Sequence, residues 1–167
     1  VVSDDMIKEI LIDENISLHS FKTFIQEFRI KEFTNNLNEF DENKVKAMIA
    51  VQYFPFSSER YTELRKVYPD QCIEFICKNK QKFMETIDAC GLTEGEVVKL
   101  LKIDSFSADE KIKILNQIES TKIGEEIALW IRKNKIKIDK AYVETAWNQL
   151  SQDDKYELLI NHIEVYS

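Results

Sequence analysis

Four times along this chain an apolar residue is followed by a small polar residue, one or more acids, and then apolar residues at helical spacing. The phrase reads Leu92-Thr93-Glu94-Gly95-Glu96 ahead of Val97, Val98, Leu100 and Leu101, and Phe106-Ser107-Ala108-Asp109-Glu110 ahead of Ile112, Ile114 and Leu115. It returns as Leu150-Ser151-Gln152-Asp153-Asp154 ahead of Tyr156, Leu158 and Leu159, and more loosely as Phe56-Ser57-Ser58-Glu59 ahead of Tyr61 and Leu64. Each phrase is a helix start. The first N–H groups of a helix have no internal acceptor, so a Ser or Thr oxygen takes one while an acid three residues on reaches back to the cap. Thr93 with Glu96 and Ser107 with Glu110 have that spacing, and Leu92 with Val97 is placed as the apolar staple around it. Ser151 with Asp154 is a shorter version, and Ser57 keeps the cap but faces Arg60.

Only three glycines and two prolines occur in 167 residues. Hairpin-rich β architectures need turn residues every ten or so positions, so an all-α fold is expected. A first helix is predicted from about Asp4 to Leu11. A second begins after Ser17 and carries Phe21, Phe24, Ile25 and Phe28, with Phe33, Leu37 and Phe40 continuing it as the same helix or another. Asp41 opens a helix with Val45, Met48, Ile49 and Gln52 on successive turns, ended by Phe54-Pro55-Phe56. Ser57 starts the next, which stops before Pro69; Pro69 suits a first helical position, Asn79 a break, and Gly91 a left-handed stop. Further helices start at about Thr93, Ser107, Gly124, Asp139 and Ser151, for about nine or ten in all.

The spacing of these starts suggests repetition. Phe56 to Phe106 is 50 residues and Phe106 to Leu150 is 44. Residues Phe75-Ile76-Cys77-Lys78-Asn79-Lys80-Gln81-Lys82-Phe83 also rhyme with Trp130-Ile131-Arg132-Lys133-Asn134-Lys135-Ile136-Lys137-Ile138. The expectation is a single domain over 1–167 built as an α-solenoid, a stack of irregular antiparallel helices in the size range of HEAT and armadillo repeats, with approximate units 41–91, 92–138 and a partial 139–167. The chain starts at Val1 with no methionine, and a piece of a larger protein is expected.

The phrase Ile123-Gly124-Glu125-Glu126-Ile127-Ala128, leading into Trp130-Ile131-Arg132-Lys133-Asn134-Lys135-Ile136, resembles the helical-repeat C-terminal region of large bacterial P-loop NTPases of the YobI type. The resemblance runs from Asn15 to the C-terminus and lies in repeat texture. It implies that any nucleotide site lies elsewhere in a parent protein and that this segment is a sensor, dimerisation or docking arm.

The residues themselves narrow the chemistry. None of Gly91, Gly95 and Gly124 leads a P-loop or a dinucleotide fingerprint, so no nucleotide cofactor is expected through those motifs. Cys72, Cys77 and Cys90 lack histidines at ligand spacing and read as buried small hydrophobes, with no metal expected. The acid pairs Asp4-Asp5, Asp109-Glu110, Glu125-Glu126 and Asp153-Asp154 fall in first turns, where negative charge meets the positive end of the helix dipole. Trp130 and Trp147 are assigned to apolar core faces. With 30 acids against 23 bases the net charge is −7, which disfavours nucleic acid and anionic membrane. The local exception is Arg132, Lys133, Lys135, Lys137 and Lys140, echoed by Lys78, Lys80 and Lys82. At helix C-termini these charges complement the dipole; as a patch, Arg132, Lys133, Lys135 and Lys137 are the candidate partner-binding residues.

No apolar run approaches the length of about 20 residues that a membrane helix needs. An odd, sparse cysteine count fits a reducing compartment, and heavy use of Ile, Lys, Asn and Glu matches AT-rich bacterial coding sequence. The reading is a non-catalytic cytoplasmic scaffold or regulatory module. Its partner is another protein or the rest of its own parent chain, with homodimerisation through exposed repeat ends as a further route. The alternatives are a nucleic-acid-binding module using the lysine patches and an enzyme whose site forms only in three dimensions.

Overall fold

A computed structural model describes residues 2–28 and 37–166, with side chains of the last helix described as far as His162. The fold is all-α, with no strand among the described residues. Among the described residues eleven α-helices follow in order: α1 Asp4–Ile12, α2 Leu18–Phe28, α3 Glu42–Ala50, α4 Ser58–Val67, α5 Cys72–Lys78, α6 Lys80–Thr86, α7 Glu94–Leu101, α8 Ala108–Leu115, α9 Glu125–Lys133, α10 Lys140–Gln149 and α11 Gln152–Tyr166. Short 3-10 turns occur at Leu37–Glu39, Pro69–Gln71, Ile87–Ala89 and Ser120–Lys122. Phe33, assigned above to the second helical run, lies outside the described residues. The chain divides into two compact units, residues 1–90 and 91–167.

The helix starts are built as capping chemistry requires. Thr93 Oγ1 accepts from Glu96 N–H at 3.3 Å while Glu96 Oε1 accepts from Thr93 N–H at 3.0 Å. Ser107 and Glu110 do the same at 3.2 and 2.8 Å. Ser57, Asp41 and Ser151 accept from the N–H three residues on, at 3.0, 2.9 and 3.3 Å. All four acid pairs stand in first turns, where the dipole favours them. Gly91 takes the left-handed conformation, φ +58°.

In the first unit α5 packs on α3, α4 and α6. Its core is aromatic: Phe56 stands 4.9 Å from Phe75, 5.8 Å from Phe83 and 6.0 Å from Tyr61, centroid to centroid. Lys44, only 3 % exposed, ends against the C-terminus of α1, where its Nζ donates to Leu11 O at 3.1 Å and Asp13 O at 2.6 Å beneath the Phe21 ring. An ammonium thus satisfies carbonyls that the helix end leaves without donors.

In the second unit α9 has the central place, with α7, α10 and α11 all packed on it. Its N-cap, Gly124, donates its N–H to Glu94 Oε1 at 2.6 Å, and a Cβ there would lie 2.3 Å from that oxygen. A larger residue there would have to displace the flexible end of Glu94 from its hydrogen bond. Tyr142 of α10 donates its hydroxyl to Ile118 O at 2.6 Å, and Gln149 donates to Ile123 O at 2.5 Å.

Helix α3 ends earlier than its periodicity indicates. The periodicity places Gln52 on a further helical turn, but the helix closes at Ala50 and Gln52 adopts φ +53°. Gln52 N–H donates to Ile49 O at 3.0 Å and Tyr53 N–H to Met48 O at 2.8 Å, the Schellman pair that normally holds glycine at the left-handed position.

Candidate functional site

The basic residues singled out from sequence divide between two settings. Arg132 lies in the last turn of α9 and is spent internally: its guanidinium pairs with Asp154 through Nη1, and its Nε lies 3.3 Å from Glu157. Its side chain is only 14 % exposed. The same helix end receives Asn161 Nδ2 on Arg132 O at 2.6 Å and His162 Nε2 on Ile131 O at 2.8 Å. Carbonyls only accept, so Nε2 carries the proton. Arg132 therefore fastens α11 to α9.

Lys133, Lys135 and Lys137 are exposed. Lys133 ends α9, where it complements the dipole, but Lys135 and Lys137 lie on the non-helical connection 134–139 that also buries Ile138. Lys140 opens α10, the end of the helix that disfavours a cation. The expectation that all these charges sit at helix C-termini thus fails for Lys135, Lys137 and Lys140, and among the echoing lysines for Lys80 and Lys82, which stand in the first turn of a helix running Lys80–Thr86.

The echoing lysines occupy a concave setting in the first unit. Lys78 closes α5, while Lys80 and Lys82 fall in α6, which begins directly after Asn79. With Gln52, Gln81 and Glu85 they line a depression of about 430 Å³. Gln52 donates its side-chain amide to Lys78 O, joining the end of α3 to the end of α5. Glu85 lies 3.9 Å from Lys82 Nζ, with both side chains more than half exposed. A second depression, of about 520 Å³, is lined by Ser58, Glu59, Thr62, Glu63, Lys66 and Ala89. There Glu63 is already engaged, accepting from Leu37 N–H at 2.9 Å and pairing with Arg60 at 3.4 Å.

A third surface is apolar. On α11, Leu158 and His162 are buried, while Tyr156, Leu159 and Ile160 are 69 %, 55 % and 50 % exposed. Spacings of three and four put these last three side by side on the outward face. Trp147 of α10, assigned from sequence to the core, is 39 % exposed, with Lys155 Nζ 5.4 Å from its ring centroid. Trp130 is buried as expected. A signal for the outward face was present, because α11 has apolar residues on both sides rather than one stripe.

The remaining reactive groups are dispersed. Cys72 and Cys90 are buried, but Cys77 is exposed, which corrects the uniform reading of the cysteines. Partial desolvation by its neighbours still pushes the Cys77 thiol up, and Glu74 adds to this while Lys80 works against it. Cys90 is raised chiefly by burial too. Among the described residues no group of three or more His, Cys, Asp or Glu side chains could hold a metal ion, and no helix is long and apolar enough to cross a membrane. No protein-family model matches the chain, and neither a curated protein nor a solved structure is found similar to it.

Proposed function

We propose that this chain is a non-catalytic helical-repeat module for protein–protein interaction, a scaffold or regulatory arm within a larger cytoplasmic bacterial protein. The observation that supports the reading is the outward face of α11. Three large apolar side chains at helical spacing make an exposed stripe on α11, and Trp147 of α10 is also exposed, with Lys155 of α11 over its ring. Isolated exposed apolar residues are ordinary, whereas a contiguous group marks a surface that another element covers. A stacked helical array has this property at its ends, because each helix layer is completed by the next. The resemblance to the repeat region of YobI-type NTPases fits the same role, with the covering element supplied by the parent chain, a second copy or a separate partner. An amphipathic helix is the natural occupant of such a stripe.

The test is Leu159→Lys combined with Ile160→Glu. Both side chains are half exposed, so folding stability should stay within about 0.5 kcal/mol of the wild type. Association, read as self-association by sedimentation and as co-purification with the natural parent chain or partner, should fall at least about tenfold. Association that survives the double substitution would assign the interface elsewhere. A strongly destabilised variant would mean that this face belongs to the core.

A further inference from the structure

The depression beside Gln52 is independent of the α11 face. We propose that it is an anion site for a small ligand carrying two or more phosphate charges, held by Lys78, Lys80 and Lys82. The chain carries a net charge of −7, yet three ammonium groups fall within five residues here, with Glu85 as the one acid among the lining residues. Glu85 forms only a long, exposed pair with Lys82, which competes weakly with a bound anion. The volume, about 430 Å³, lies in the range of small-ligand clefts. Lysine ammoniums act on phosphate as point charges with three donors each, without a fixed fork.

Gln52 supplies the second observation. A non-glycine residue at φ +53° is strained, and strain of this kind persists where the surroundings hold it. Here its amide is anchored on Lys78 O through one N–H. A primary amide has a second N–H, and Gln52 lines the same depression as the three lysines.

The size of the ligand follows from screening. At physiological salt, charges beyond about 8 Å are largely damped, so a compact anion feels the three lysines, offset by Glu85 in the lining and by Glu74 one turn before Lys78, and little of the more distant acids. An oligonucleotide tracks further and meets the net negative field. The rhyming lysines of the second unit form an internal control. Lys133, Lys135 and Lys137 share the sequence pattern, but the chain from Asn134 to Asp139 is not helical.

The experiment is calorimetric titration of the whole chain with pyrophosphate. One saturable, salt-sensitive site is expected. Lys80→Gln with Lys82→Gln should weaken it at least about tenfold, and Lys135→Gln with Lys137→Gln should leave it within about twofold. Circular dichroism checks that both variants fold. Cys77 gives a separate readout: an anion beside Lys80 offsets the charge that lowers the thiol, so alkylation of this exposed cysteine should slow as pyrophosphate binds. The proposal is overturned by no saturable binding at millimolar pyrophosphate, by equal loss in the two lysine variants, or by equal affinity for sulfate. Tight binding of a single-stranded oligonucleotide that pyrophosphate fails to displace would also overturn it.

Discussion

Gln52 provides a stability test in which two energies of known sign can be separated. Its left-handed backbone costs a residue with a Cβ about 1 kcal/mol relative to glycine. Its side chain returns about 0.5–1.5 kcal/mol by donating to Lys78 O, a carbonyl at the end of α5. Gln52→Ala keeps the strain and loses the bond, so the domain should lose about 1 kcal/mol. Gln52→Gly loses the same bond but relieves the strain, and should stay within about 0.5 kcal/mol of the wild type. Gln52→Asn tolerates the left-handed region better than alanine but is one methylene shorter, so it should fall between the two. The assay is urea unfolding followed by far-ultraviolet circular dichroism. With a slope of about 2 kcal/mol per molar, the alanine variant should unfold about 0.5 M earlier than the glycine variant. Trp130 and Trp147 both lie in 91–167, so tryptophan emission reports that unit while circular dichroism reports all helices. Alanine and glycine variants of equal stability would refute the strain argument. An alanine variant equal to the wild type would refute the bond.

Further tests address other joints of the structure. Ser107→Ala removes the hydroxyl that accepts from Glu110 N–H and should cost about 1 kcal/mol, so an unchanged denaturant midpoint would remove the cap from the account. Lys44→Met keeps the apolar stem but leaves Leu11 O and Asp13 O without their charged donor; a loss of about 2 kcal/mol or more is expected in thermal or urea unfolding. Burial raises Glu96 above its ordinary 4.5, against the lowering effects of the Thr93 backbone bond and Lys99. A carboxyl raised on folding binds its proton more tightly in the folded state, so it opposes folding above the raised value and ceases to do so below 4.5. Glu96→Gln should therefore be more stable than the wild type near neutral pH, with the gain vanishing below pH 4.5; a gain independent of pH would contradict this.

Capping was legible in the sequence because it is local chemistry. Ser57, Thr93, Ser107, Asp139 and Ser151 all stand where a short polar side chain precedes a helix, and the partner N–H is two or three residues away. The surfaces were less legible because they depend on which helices pack together. Periodicity gives Trp147 a face of α10 but does not say whether another element covers that face, and it is 39 % exposed. Gln52 carries no local signal at all, since a left-handed C-terminus ordinarily announces itself with Gly or Asn. Arg132 was identified as a basic patch member, yet its acids, Asp154 and Glu157, are more than twenty residues away in sequence and are brought to it by the packing of α11 on α9.

The rhyme between 75–83 and 130–138 shows how far a shared pattern determines a shared structure. In both copies the aromatic residue and the following isoleucine are buried, in a helix on which three others pack: α3, α4 and α6 on α5, and α7, α10 and α11 on α9. In both, the asparagine turns its side-chain amide back to the aromatic residue's carbonyl, at 2.9 Å for Asn79 on Phe75 O and 2.7 Å for Asn134 on Trp130 O. Each also has an amide from a distant element on the last carbonyls, Gln52 on Lys78 O and Asn161 on Arg132 O. Beyond the asparagine the copies part. Lys80-Gln81-Lys82-Phe83-Met84 is built of residues without β-branches and resumes a helix, whereas Lys135-Ile136-Lys137-Ile138 alternates charge with β-branched isoleucine and leaves the helix, with Ile138 buried. One set of lysines is thereby gathered around a depression and the other is spread along an exposed segment. Lysines at matching positions therefore need not share a role, and a substitution result at Lys135 or Lys137 does not transfer to Lys80 or Lys82.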